Sequence, residues 1–186
     1  MHAFATPGPE GTKATIEAVR ECLGRRNIER VVVATTTGRT AVAFAEALPD
    51  VQIVAVTHNV GFHGGDEFEL EASHAEALER LGVPIVTCLH ALSGVGRSIS
   101  RTFGGITGPE LIAHALRMLG QGMKVCVECA AMAADAGALP TDRDAICVGG
   151  TGRGADTAVV LRPAHAGSLL DLRIREVLCL PKVAGS

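Results

Sequence analysis

The chain alternates short β-branched runs with longer stretches in which apolar residues recur every three or four positions, the pattern of strands separated by helices. After a Pro- and Gly-punctuated lead-in over residues 1–9, Ile16, Val19, Cys22 and Leu23 share one helical face until Gly24 offers a stop. Val31-Val32-Val33-Ala34 reads as a buried strand, residues 41–48 as the next helix, and residues 51–57, after Pro49 and Asp50, as a second strand. So short a crossover makes these strands parallel neighbours joined by a right-handed connection. Helix is expected over 67–81, with Leu70, His74, Ala77, Leu78 and Leu81 on one face, and a third strand over 84–89. Pro109 at a first helical position opens another helix, with Leu111, Ile112, Ala115, Leu116 and Leu119 turned inward before Gly120. Residues 123–136 fit a helical period better than alternation. Residues 144–148 and 158–162 supply the fourth and fifth strands, and the short glycine loop between them predicts a hairpin, so the fifth is antiparallel to the fourth. The initial alternation over 172–180 predicts an edge strand or a packing arm.

The polar stretches between these elements carry the chemistry. Thr35-Thr36-Thr37-Gly38-Arg39-Thr40 joins the first strand to its helix. Its hydroxyls can donate to phosphate oxygens, Gly38 permits a tight turn, Arg39 supplies charge, and the N–H groups of a helix opening near Thr40 point at the ligand. The bland alternative is a strand-to-helix turn capped by one threonine, which leaves the rest of the cluster unexplained. Gly149-Gly150-Thr151-Gly152-Arg153-Gly154-Ala155-Asp156-Thr157 repeats that chemistry in the hairpin loop, against the alternative of a sharp turn whose glycines serve positive φ. The second strand ends in a glycine-rich loop carrying His58, Asn59, Phe62 and His63. A metal there would need a third ligand, and Asp66 is the nearby carboxylate, so plain hydrogen-bonding histidines are the expectation and no metal is assigned. Residues 90–105 form a loop of about sixteen residues with Ser93, Arg97 and Arg101 and no acid, suited to cover an anion as a lid.

Composition narrows the partner. With 186 residues, 47% of them hydrophobic and 20% charged, the chain suits one globular domain. A formal net charge of −3 and no Lys/Arg block argue against nucleic acid, and no apolar run approaches a membrane span, so a small phosphorylated molecule is expected. The opening residues lack the basic and apolar regions of a signal peptide, which predicts a cytoplasmic protein. The six cysteines, including the C-x-x-C of Cys126 and Cys129, lie in apolar stretches and read as buried thiols rather than disulfide, redox or metal sites. The apolar-rich composition and the 172–180 arm leave room for a homo-oligomer.

The run from Thr35 to Thr40 with Ile53-Val54-Ala55-Val56-Thr57 resembles the C-terminal α/β domain of pyruvate kinase, where a Thr/Ser-rich loop holds a phosphate of the sugar bisphosphate effector in regulated members. The hairpin loop looks like the second effector-contacting loop of that domain. With Phe62, His90-Ala91-Leu92-Ser93-Gly94, Arg97-Ser98-Ile99-Ser100-Arg101 and Phe103-Gly104-Gly105, the whole chain is similar to stand-alone archaeal and bacterial proteins named for this domain. The resemblance implies an α/β fold: a three-layer α/β/α sandwich on a mixed five-stranded sheet of order 3-2-1-4-5, strand five antiparallel. It implies flavin mononucleotide (FMN) as ligand, and no pyruvate kinase activity, which resides in a separate barrel. The candidate cofactor-binding residues are then Thr35, Thr36, Thr37, Gly38, Arg39, Thr40, His58, Asn59, Phe62, Ser93, Arg97, Arg101, Gly150, Thr151, Gly152, Arg153, Gly154, Asp156 and Thr157. Two other readings stand beside the flavoprotein. One is a sugar-phosphate sensor, and the other is an enzyme on a phosphorylated substrate using His58, His63 or His90 as acid or base with Asp156 nearby.

Overall fold

The structure, a computed structural model, describes residues 2–4 and 8–182. Its centre is the parallel set predicted from the β-branched runs. Strand β2 (Arg30–Ala34) pairs with β3 (Gln52–Thr57), β3 with β4 (Ile85–Thr87), and β5 (Ala145–Gly149) lies on the other side of β2, all parallel. β6 (Thr157–Arg162) closes the expected antiparallel hairpin with β5. The predicted order is therefore present. Two strands extend it: β7 (Arg173–Pro181) pairs antiparallel to β6, and β1 (His2–Phe4) pairs parallel to the end of β7, giving a seven-stranded sheet of order β1-β7-β6-β5-β2-β3-β4. The 172–180 arm is thus an edge strand along only part of its length, because His2 to Phe4 cover residues 179–181. Of the lead-in, Met1 and residues 5–7 lie outside the described residues.

Alternation along the strands sends side chains to two cores. Val31, Val33, Ile53, Ala55, Ile146 and Val148 face one layer, where α1 (Thr12–Arg25), α2 (Arg39–Ala47) and α3 (Ala72–Arg80) contribute Val19, Phe44 and Leu78. Val32, Val54, Val56, Val86 and Cys147 face the other, against Met123, Cys126, Ala130 and Met132 of α6 (Gln121–Asp135). This is the α/β/α sandwich, both faces covered as a parallel sheet requires. α5 (Gly108–Arg117) packs on α6 and is opened by a capping box between Thr107 and Glu110. Cys126 and Cys129 are buried in the second core, and burial raises both thiol pKa values, so the C-x-x-C is packing. No helix among the described residues is long and apolar enough to cross a membrane.

Two expected elements differ. Residues 90–105 are not a loop: Gly94–Phe103 is a helix, α4, packed on α5, with no buried residue. Ser100 Oγ donates to Glu110 Oε1 at 2.7 Å, a contact from outside the segment that local reading could not supply. The helix expected over 67–81 begins only at Ala72, because the chain before it is drawn out along the β2–α2 loop, where Glu71 N donates to Thr37 O at 3.2 Å.

Candidate functional site

Four parallel strands end on one edge of the sheet. The chain runs from β2 to β3 to β4 in one direction and then returns to place β5 on the opposite side of β2. That reversal is a topological switch point, where the loops leaving adjacent strands part and open a crevice. Val33 pairs with Val148, so Thr35 and Gly150 stand equally far beyond the last paired residues, on strands spaced about 4.8 Å apart. The two loops that share hydroxyls, glycines and an arginine therefore leave the sheet side by side at the switch point.

The first loop is held from behind. Thr35 N extends the ladder to Val56 O at 2.9 Å, and its Oγ1 accepts Gly38 N at 3.1 Å. Gly38 has φ +96, and a Cβ there would stand 2.5 Å from His74 Cβ, so only glycine turns the chain into α2. His74, expected merely on the α3 face, lies 2.9 Å through Nδ1 from Thr37 O. Thr35 and Thr40 are buried, Thr36 and Thr37 half-buried, and Arg39 exposed. Among the described residues the Thr36 and Thr37 hydroxyls have no hydrogen-bond partner and Arg39 no ion pair. With the orphan N–H groups of the first turn of α2, they are a donor set without an acceptor.

Asp156 shapes the second loop from inside. It is fully buried; Oδ2 accepts Gly8 N at 2.9 Å and Thr151 N at 3.0 Å, and Oδ1 accepts Thr157 Oγ1 at 2.7 Å. Gly154, at φ +72, passes so close to the lead-in that a Cβ would stand 2.4 Å from Pro9 Cα. Asp156 and Thr157 are therefore internal braces. Gly150, Thr151, Gly152, Arg153 and Gly154 form the tip, with Gly152 and Arg153 exposed. No histidine is among the hydrogen-bond partners of Asp156 in the described residues: its oxygens meet Gly8 of the lead-in and Thr151 and Thr157 of the loop.

Beyond β3 and β4 lies a cluster of rings. Phe62 stacks on His58 at 4.0 Å and on His90 at 4.8 Å, the His58 and His90 centroids are 5.3 Å apart, and the Arg97 guanidinium sits 5.5 Å from the Phe62 centroid. Burial lowers the His58 pKa, outweighing its 2.6 Å contact with Glu69. Asn59 is engaged locally, its amide donating to Val60 O at 2.7 Å, and Ser93 is buried at the start of α4. Arg101, on α4 like Arg97, is exposed and has no ion pair among the described residues.

Sequence reasoning missed the acids of this region. Glu69, not Asp66, joins His58 and His63, with one potential ligand atom of each within 4.8 Å of the others. Glu128, within the helical stretch 123–136, meets His90 Nδ1 at 3.3 Å and pairs with Lys124. The available signal was two charges one turn apart in an otherwise apolar, alanine-rich helix. A groove between α3 and the edge strand β4, lined by Glu76 and Glu79 among small and aliphatic residues, has the wrong charge for a phosphate.

An α/β/α domain on a mixed sheet with a switch point between β2 and β5 defines the class of fold. Within α/β folds of this kind, residues 13–161 match the family described as pyruvate kinase, alpha/beta domain, and the chain belongs to that family.

Proposed function

We propose that the crevice binds a phosphorylated planar cofactor, flavin mononucleotide, and that the chain has no pyruvate kinase activity. The observation that carries this reading is the unengaged donor set, Thr36, Thr37 and Arg39 with the first turn of α2, on a loop that leaves the sheet beside the one bearing the glycine tip. The residues present fit the group. Hydroxyls, amides and a guanidinium suit a phosphate dianion, the 150–154 tip can approach it closely, and the His58–Phe62–His90 cluster offers flat surfaces to a ring. A flavin supplies its own electron chemistry once bound. The protein's part is to hold the phosphate with the first loop and to orient the ring with the second loop and the aromatic cluster.

The test is an absorbance spectrum of freshly purified protein with mass spectrometry of any small molecule released on denaturation. Stoichiometric FMN is the expected result, and added FMN should bind roughly a hundredfold more tightly than riboflavin, which lacks the phosphate. A colourless protein that ignores added FMN refutes the reading, and a released sugar phosphate replaces it with the sensor reading.

A further inference from the structure

Behind the ring cluster, a line of charged groups runs into the core that phosphate binding does not use. Lys124 and Glu128 on α6 have side chains 5% and 2% exposed. Glu128 Oε1 accepts Leu92 N at 3.0 Å, while Oε2 receives the Lys124 ammonium and His90 Nδ1. An ionised carboxylate only accepts, so Nδ1 of His90 carries the proton, and in the neutral ring Nε2 keeps its lone pair. The His90 side chain is 10% exposed, and Nε2 is the one buried side-chain nitrogen or oxygen among the described residues that lacks a hydrogen-bond partner. Native structures rarely leave such an atom unsatisfied, and no contact within the described fold satisfies it. It falls into place if Nε2 meets its partner on a ligand. His90 follows β4, on the same sheet edge as the crevice, with its ring stacked on Phe62.

We propose that His90 Nε2 is the acceptor for an N–H or O–H donor on the end of the ligand away from the phosphate, with Glu128 and Lys124 as positioning residues that lock its tautomer. This rests on the flavin reading, in which the donor is the imide N–H of the ring. Such a contact selects by penalty: a ring whose edge lacks the donor leaves Nε2 buried and unpartnered, and binds worse.

The first measurement needs no ligand. Side-chain ¹H–¹⁵N spectra of the free protein at pH 8, with His90 assigned by His90→Phe, should show a ring protonated on Nδ1; a ring protonated on Nε2 overturns the proposal. The second compares FMN with its 3-methyl analogue, which has no imide N–H. Wild type should bind the analogue roughly tenfold more weakly or worse, and His90→Phe, which keeps a stacking ring without an acceptor, should bind both alike. Equal affinities in wild type overturn the role of His90 and leave the flavin reading standing. Folded wild type that binds neither compound overturns both. Lys124→Met made together with Glu128→Gln leaves no buried charge unpaired and should reduce the discrimination, whereas undiminished discrimination in that variant overturns the positioning role.

Discussion

Removing either partner of the Lys124–Glu128 pair should destabilise the protein far more than removing both. Glu128→Gln leaves an ammonium that is 5% exposed with no counter-charge, and breaking a buried pair in this way costs about 3–5 kcal/mol, a large part of a typical stability of roughly 5–15 kcal/mol. Lys124→Met strands a carboxylate that still has Leu92 N–H and His90, so its cost lies nearer the lower figure. The double variant buries no ion, and urea unfolding at pH 7 should place it at least about 2 kcal/mol above the sum of the single losses. Acid titration gives an independent reading. Burial raises the Glu128 carboxyl pKa, but the hydrogen bond from His90 and the charge of Lys124 prevail and hold it at about 2, against 4.5 for the free group. The folded value lies below the unfolded one, so the carboxylate stabilises fully above about pH 4.5, and that contribution, about 3 kcal/mol, is lost as pH falls towards 2. Glu110, also held at about 2 by the Thr107 amide and hydroxyl and by Ser100, contributes its own acid limb in every variant, so the difference between wild type and Glu128→Gln isolates Glu128. Additive single losses, or an acid limb unchanged in Glu128→Gln, would refute the reasoning.

Gly38→Ala should cost about 3 kcal/mol, from the left-handed backbone and the approach to His74 Cβ, and should weaken the proposed FMN binding; a variant as stable as wild type would show that the β2–α2 turn relaxes freely. Asp156→Ala strips two backbone N–H groups of their acceptor and should lose about 3 kcal/mol in the same urea assay, whereas a loss below about 1 kcal/mol would mean that the hairpin loop is braced mainly by its glycines. The Cys126, Cys129 and Cys147 thiols, raised in pKa by burial, should react with an aromatic disulfide reagent only on unfolding; rapid reaction of all six cysteines in native protein would contradict their packing.

What could be read from the sequence was what neighbouring residues decide for themselves. Val31, Val32 and Val33 admit no half-exposed register, because the parallel sheet covers both faces, and the hydroxyls, glycine and arginine that follow announce their own turn. The β5–β6 hairpin was legible for the same reason. α4 was not: Gly94, Gly96, Ser98 and Ser100 are weak helix formers, and its one apolar stripe, Val95, Ile99 and Phe103, is exposed, so the burial that normally selects a helical period is missing. Its supports come from another element, through Glu110 on Ser100 and the close approach of Gly96 to Thr107. The overlong helix at 67–81 failed similarly, since the N–H of Glu71 is claimed by Thr37 across 34 positions of sequence. The 35–40 and 149–157 loops belong to the local kind, and the His90–Glu128–Lys124 line to the other. Its members lie 38 and 4 positions apart and meet only because β4 and α6 share the second core. A charge that local pattern cannot justify in an alanine-rich helix is for that reason the better pointer to the proposed ligand: Glu128, paired with Lys124, meets the His90 ring at Nδ1, and the other ring nitrogen is buried without a partner among the described residues.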